Sequence, residues 1–505
     1  MKKRYGAYVK IQRKGEDMEN LFEMDHIIIE ENTIFEIQAA MEKGELCSRD
    51  LVLYYLYRIA QLDQNGPKIN SVLEINPDAI FIAEAMDNER KSVGARGLLH
   101  GIPVLLKDNI ETNDKLHTTA GALALENHIS SKDAFLVTKL RQAGAVILGK
   151  TNMTEWANGM SSDMWAGYSA RGGQVLNPYG DFFPGGSSTG SAAAVAANFT
   201  MVSVGTETSG SILSPSIQNS IVGIKPTVGL ISRGGIIPFS YSQDTAGPMA
   251  RTVTDAAILL GILSGKDEDD PVTWKNPYST IDYTTCLDLN GLKNANIGIF
   301  RKAPLTRYRD NEEYDEVLFE NAVNQFKEAG ANIIEDIDIP SFDRKWEWNK
   351  LNNEFKVSVE HYLQSLPVQL PVHTLSELIE WNKQNAERAL KYGQNLLEYR
   401  EQLNNPLNNS NYTLELITDL YHSQNNGIDY AVHNFGLDAI VFPSYVGADL
   451  CARAGYPSIT VPAGYKESGR PFGITFAGKA FSESVLIRFA FAFEQVTAHR
   501  KKPNL

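Results

Sequence analysis

Apolar and polar positions along the chain alternate between two periods. Ser48 stands before Leu51, Leu53, Tyr54, Leu56, Ile59 and Leu62, the spacing of an amphipathic helix with Ser48 as its N-cap, and Asn65-Gly66-Pro67 ends it. A second helix is expected from about Pro77-Asp78 to Lys91. Ile102 to Leu106 is then an unbroken apolar run, the pattern of a buried strand, and it stops at Lys107-Asp108-Asn109. A helix over Ala134 to Gln142, a strand at Val146-Ile147-Leu148 and a helix capped by Thr252 continue the rhythm. Strands return at 439–442, 458–461 and 473–476, and a helix over about 482–496 closes the pattern. The middle of the chain, about 270–430, is more polar and helical in pattern.

This order predicts an α/β protein with one large mixed, twisted β-sheet covered by helices on both faces. Residues 1–30 read as an N-terminal extension, and 31–505 as a single domain. Its core is expected over about 95–265 and 436–500, with a helical insertion over about 266–435.

Composition excludes several classes. The chain has 505 residues and a net charge of −14, without a basic stripe, so binding to nucleic acid or an anionic membrane is not expected. No apolar run is long enough to span a bilayer, and the basic start lacks the apolar segment of an export signal, so a cytoplasmic protein is expected. Three dispersed Cys residues and no metal-ligand spacing imply neither a metal nor another cofactor.

Charge distribution changes the picture. Charged residues make up 21% of the chain, so an even spread would put about nine in the 43 residues from Phe182 to Ile224; the sole one there is Glu207. The same window carries thirteen Ser or Thr and six Gly. It contains a glycine-serine turn, Pro184 to Ser191, that enters a helix of small residues, and a second turn over Gly205 to Ser211. A phosphate loop is excluded, because no Lys follows Gly190. Gly186-Ser187-Ser188-Thr189-Gly190 fits a hydrolase elbow with Ser188 as nucleophile, but no strand leads into it and no late His has a supporting pattern. A purely structural role for the glycines is the plain alternative.

A Ser nucleophile with a Lys base needs no His. It needs a lysine whose pKa falls from about 10.4 towards about 7–8. A charge-poor, hydroxyl-rich shell offers hydrogen bonds without a carboxylate to hold the ammonium. Lys107, at the end of its apolar strand, is the best-placed lysine. Spacing alone does not choose the nucleophile among thirteen hydroxyls.

Several ordered blocks do carry a resemblance. Gly185-Gly186-Ser187-Ser188-Thr189-Gly190-Ser191, Gly205-Thr206-Glu207-Thr208-Ser209-Gly210-Ser211-Ile212 and Gly223-Ile224-Lys225-Pro226-Thr227-Val228-Gly229 are similar to the amidase signature family. Further matching blocks are Ser242 to Pro248, His100 to Asn109, Gly149 to Asn152, and Gly455-Tyr456-Pro457. The resemblance spans roughly residues 36–500 and implies the family's Ser–cis-Ser–Lys triad. The nucleophile would be Ser211, the bridging serine Ser187 and the base Lys107. Backbone N–H groups of Thr208, Ser209, Gly210 and Ser211 would form the oxyanion hole. Glu207, Ser209 and Leu213 stand where the commoner pattern has Asp, Gly and Arg, and this departure resembles the peptide amidase branch. The implied activity is hydrolysis of a carboxamide, with the C-terminal amide of a peptide as substrate, releasing ammonia through an acyl-enzyme. The alternatives are an amidase for small aliphatic or aryl amides, an amidotransferase A-type subunit, and a non-catalytic binding relative.

Overall fold

The computed structural model describes residues 29–278, 280–302 and 315–505. The expected N-terminal extension therefore lies almost wholly outside the described residues. Among the described residues, eleven strands form one mixed sheet: β1 (Val72–Ile75), β2 (Pro103–Lys107), β3 (Val146–Thr151), β4 (Val202–Glu207), β5 (Val222–Lys225), β6 (Thr245–Ala250), β7 (Asn296–Ile299), β8 (Asn332–Ile334), β9 (Ala439–Pro443), β10 (Ser458–Tyr465) and β11 (Pro471–Ala477). Their order is β1-β3-β2-β4-β6-β5-β10-β11-β9-β7-β8. β2 runs parallel to both β3 and β4, and β4 pairs antiparallel with β6. Every residue of β2, β3, β4, β6 and β9 is buried, as covering both sheet faces requires, and this holds even for Lys107, Lys150 and Glu207 within them. Helices pack around the sheet.

Most expected elements recur with shifted ends. The helix predicted to be capped by Ser48 spans Ser48–Arg58, and Cys47 holds the cap position. The carboxylate of Asp87 takes the free N–H groups of Ser48 (2.7 Å) and Arg49 (3.1 Å), so a distant side chain replaces the local serine cap. Lys107 is the last residue of β2 rather than the first beyond it.

Two strands, β7 and β8, lie inside the stretch read as a helical insertion. The helical part of that stretch packs on the loops beside the central strands. Phe355, Val359, Leu363, Leu375 and Leu397 form one apolar cluster with Met153, Trp156, Met160 and Ile237.

The small-residue helix α1 (Thr189–Ala196) is buried at every position. A Cβ on Gly190 would stand 2.3 Å from the Asn152 carbonyl and 2.4 Å from that of Ser71, so only glycine lets the helix approach the strand ends this closely.

Candidate active site

β2 delivers Lys107 to the centre of the molecule, where its side chain is fully buried. Its Nζ lies 2.8 Å from Ser187 Oγ, 3.0 Å from Ser188 Oγ, 2.9 Å from Thr206 Oγ1 and 3.1 Å from the Thr206 carbonyl. Burial pushes the lysine down to about 7, against the carboxylates of Glu207 and Asp244, which push it up. The shell is therefore not free of carboxylates, as composition suggested; loss of hydration outweighs them.

Ser187 and Ser188 belong to the glycine-serine loop before α1, and the Gly186–Ser187 peptide is cis. The Thr154 N–H donates to the Ser187 carbonyl at 3.1 Å and anchors the loop to the end of β3. Ser188 Oγ donates to the Thr206 carbonyl at 2.9 Å and accepts from Lys107 and from the Thr206 N–H. Its proton is committed and it is fully buried, which removes the elbow reading of this loop. The Ser188 N–H also donates to the Ser211 carbonyl at 3.1 Å, so the two turns of the charge-poor window meet here. The described hydrogen bonds join Ser211 to this loop through its backbone and not through Oγ.

The second turn follows β4. Glu207, the last residue of that strand, folds its carboxylate back: Oε2 accepts from the N–H of Ile212 (2.7 Å) and of Leu213 (3.1 Å), at the start of helix α2 (Leu213–Gln218). Burial raises its pKa, while Lys225 and the N–H groups of Ile212, Gly210 and Leu213 lower it. Gly210 has φ +80°, the left-handed region open to glycine, and completes the turn. Thr208 Oγ1 donates to Asp244 at 2.6 Å, and Ser209 Oγ donates to Asp449. Among the described residues the N–H groups of Ser209 and Ser211 donate to no backbone carbonyl. Gly210 N–H faces Glu207 instead, which sets it apart from the other three expected oxyanion donors.

Sequence reasoning missed Asn109, Thr206, Asp244 and Asp449. Asn109 Nδ2 donates to Thr206 Oγ1 at 3.0 Å and so steadies the residue that holds Lys107. Asn109, Thr206 and Asp244 stand in blocks already singled out, but nothing in their spacing assigns them a part. Asp449 is 240 residues from Ser209 and has no local signal.

A cleft of about 390 Å³ reaches Asn109 and Thr206 to Thr208, walled by the Ile236–Tyr241 loop. That loop is held from the helical region: Glu354 accepts from the Ser242 N–H at 3.1 Å and from its Oγ at 2.9 Å. A larger groove, about 1310 Å³, runs past Tyr179, Tyr465 and Lys501. Lys107, Ser187 and Ser211 line neither space, and only the smaller one adjoins them, through Thr206 and Glu207.

A family profile described as Amidase covers residues 50–487. A probable amidase of Arabidopsis thaliana is 42% identical, over 94% of this chain and 92% of its own. The native peptide amidase from Stenotrophomonas maltophilia superimposes with a TM-score of 0.88 at 43% identity, covering 94% of this chain and 99% of that one. A peptide amidase in complex with the competitive inhibitor chymostatin gives the same TM-score at 42% identity, covering 94% of this chain and 99% of that one. On the strength of the profile and of these relatives, the chain belongs to the amidase family, whose members hydrolyse amides.

Proposed function

We propose that the protein is a serine amide hydrolase that uses Ser211, Ser187 and Lys107, and that its substrates are C-terminal amides of peptides. The single observation that carries the chemistry is a dry lysine, held near 7, at 2.8 Å from Ser187 Oγ. At neutral pH about half of such a lysine is unprotonated and able to act as a base.

The neutral Nζ accepts the Ser187 hydroxyl proton as Ser187 Oγ takes that of Ser211. Ser211 Oγ then bonds to the amide carbon, and the carbonyl oxygen gains the negative charge. Backbone N–H groups of Thr208, Ser209 and Ser211 are the donors for that oxyanion, Gly210 N–H being turned to Glu207; each such donor typically lowers the barrier by about 3 kcal/mol. The relay returns a proton to the amide nitrogen, the C–N bond breaks, and ammonia leaves an acyl-Ser211. Water, deprotonated by the same relay, releases the carboxylate and restores Ser211.

The peptide preference rests on likeness to the peptide amidases and on the Glu207-Thr208-Ser209-Gly210-Ser211-Ile212 sequence they resemble. Ammonia release from peptide C-terminal amides, acetamide, an aryl amide and glutamine tests it. Turnover of the peptide amides at the highest kcat/KM supports the assignment. Inertness towards them, with turnover of acetamide, replaces it with a small-amide hydrolase.

A further inference from the structure

The nucleophile turn has an anchor that plays no part in the proton relay. An oxyanion site needs backbone N–H groups kept for the substrate, so those groups cannot also hold the turn in place. Among the described residues the N–H groups of Ser209 and Ser211 donate to no backbone carbonyl, and side chains anchor the turn instead. Thr208 Oγ1 donates to Asp244 at 2.6 Å, and Asp244 is itself fixed by the N–H groups of Phe239 (2.7 Å) and Ser240 (2.8 Å). The neighbouring Ser209 Oγ donates to Asp449. A hydroxyl bound to a carboxylate is charge-assisted and about twice as strong as a neutral pair. A glycine at 209 would offer no hydroxyl for it.

Asp449 stands in the first turn of helix α3 (Ala448–Ala454). This helix abuts the nucleophile turn: a Cβ on Gly210 would stand 3.7 Å from that of Ala448. Tyr445 and Ala448 pack in one apolar cluster with Leu213 and Ile217 of α2, the helix that follows Ser211. At the other end of α3, Arg453 donates to Asp419 and, at 2.8 Å, to the Glu347 carbonyl. Asp449 is therefore carried on an element held at both ends, and Ser209 is tied to it across 240 residues of sequence.

We propose that Asp449 is a positioning residue: through Ser209 Oγ it fixes the peptide that presents the Ser209 N–H to the developing oxyanion. Its effect passes wholly through Ser209, and it touches no reacting atom. The inference rests on the proposed attack by Ser211 and gives the Ser209 side chain a part in it.

A double-mutant cycle over Ser209→Ala and Asp449→Ala tests this. Each single variant should lower kcat for a peptide amide about tenfold with KM within about twofold, because a donor to the transition state is loosened while substrate binding is not. The double variant should be no slower than the slower single. A further loss from Asp449→Ala in the Ser209→Ala background means that Asp449 meets the substrate itself, and overturns the proposal. Unchanged kcat, or a change confined to KM, overturns it too. Labelling of Ser211 by a fluorophosphonate, whose phosphoryl oxygen uses the same donors, should slow with the same coupling. If the wild type labels but hydrolyses no amide, the functional reading fails by itself and the labelling rates still decide the role of Asp449. If Asp449→Ala does not fold, Asp449→Ser takes its place in the cycle.

Discussion

Thr206 and Glu207 are neighbours on one strand, and each holds one half of the site. Thr206 receives the Lys107 nitrogen at 2.9 Å, and Glu207 gathers the N–H groups that follow Ser211. Lys107 and the turn that carries Ser211, the proposed base and nucleophile, are thus held by consecutive residues of β4, so a disturbance of that strand end reaches both.

The first consequence concerns pH. With Lys107 held near 7, kcat should rise as pH passes through about 7 and level off above it. The effect on stability has the opposite origin. Between about 7 and the ordinary 10.5 the unfolded chain keeps a proton on this lysine that the folded chain has lost. Stability therefore increases with pH across that window, and the cost of burying the lysine is fully present below it. Lys107→Met should be inactive and should gain stability relative to the wild type at pH 7, with the gain shrinking towards pH 10. Denaturant unfolding at three pH values checks this. A gap that stays constant with pH contradicts the depressed lysine.

The two adjacent serines should separate cleanly. Ser187→Ala removes the relay and should lower kcat by about a hundredfold or more. Ser188→Ala leaves the relay intact but removes a hydroxyl that bonds Lys107, the Thr206 N–H and the Thr206 carbonyl, and should cost about tenfold. Rates for the two variants on one substrate decide the order. A larger loss in Ser188→Ala would reassign the relay.

Glu207→Gln weakens a charge-assisted clasp on the nucleophile turn and should lower stability by about 1–3 kcal/mol. It also removes a negative charge that raises the Lys107 pKa, so the acid limb of the kcat profile should move to lower pH. Lys225, fully buried and acted on by the charge of Glu207, loses its counter-charge in the same variant. An acid limb that moves upward would mean that Glu207 does not act on the base through its charge.

The cleft wall depends on a residue of the helical region. Arg400 donates to the Gly159 carbonyl at 2.5 Å and to Asn352 at 2.9 Å, and its guanidinium lies 4.0 Å over the Phe355 ring and 5.2 Å from that of Phe239. Arg400→Lys keeps the charge but loses the planar stack and the second donor, and should cost about 1–3 kcal/mol. Calorimetry reads the loss of stability. KM should rise more than kcat falls, because the Phe239 loop bounds the cleft while the triad is untouched.

The sequence showed the site more clearly than its supports. The near absence of charge over Phe182–Ile224 located the two turns, and the apolar run before Lys107 located the lysine, because both features are continuous along the chain. Asp244 and Asp449 were not legible: each meets the nucleophile turn through tertiary contact, from 36 and 240 residues away. β7 and β8 were missed because four and three residues, each beginning with an Asn, are too short to show a period. The cap at Ser48 was misplaced for a similar reason, since Asp87, far along the chain, satisfies the donors a local cap would have taken.

The central claim is that Ser211 is the attacking group, and peptide mapping after reaction with a fluorophosphonate tests it most directly. The adduct should appear on Ser211 in the wild type, form more slowly at pH 6 than at pH 8, and vanish in Ser211→Ala. An adduct on Ser187 or Ser188, or one that survives in Ser211→Ala, would contradict the mechanism.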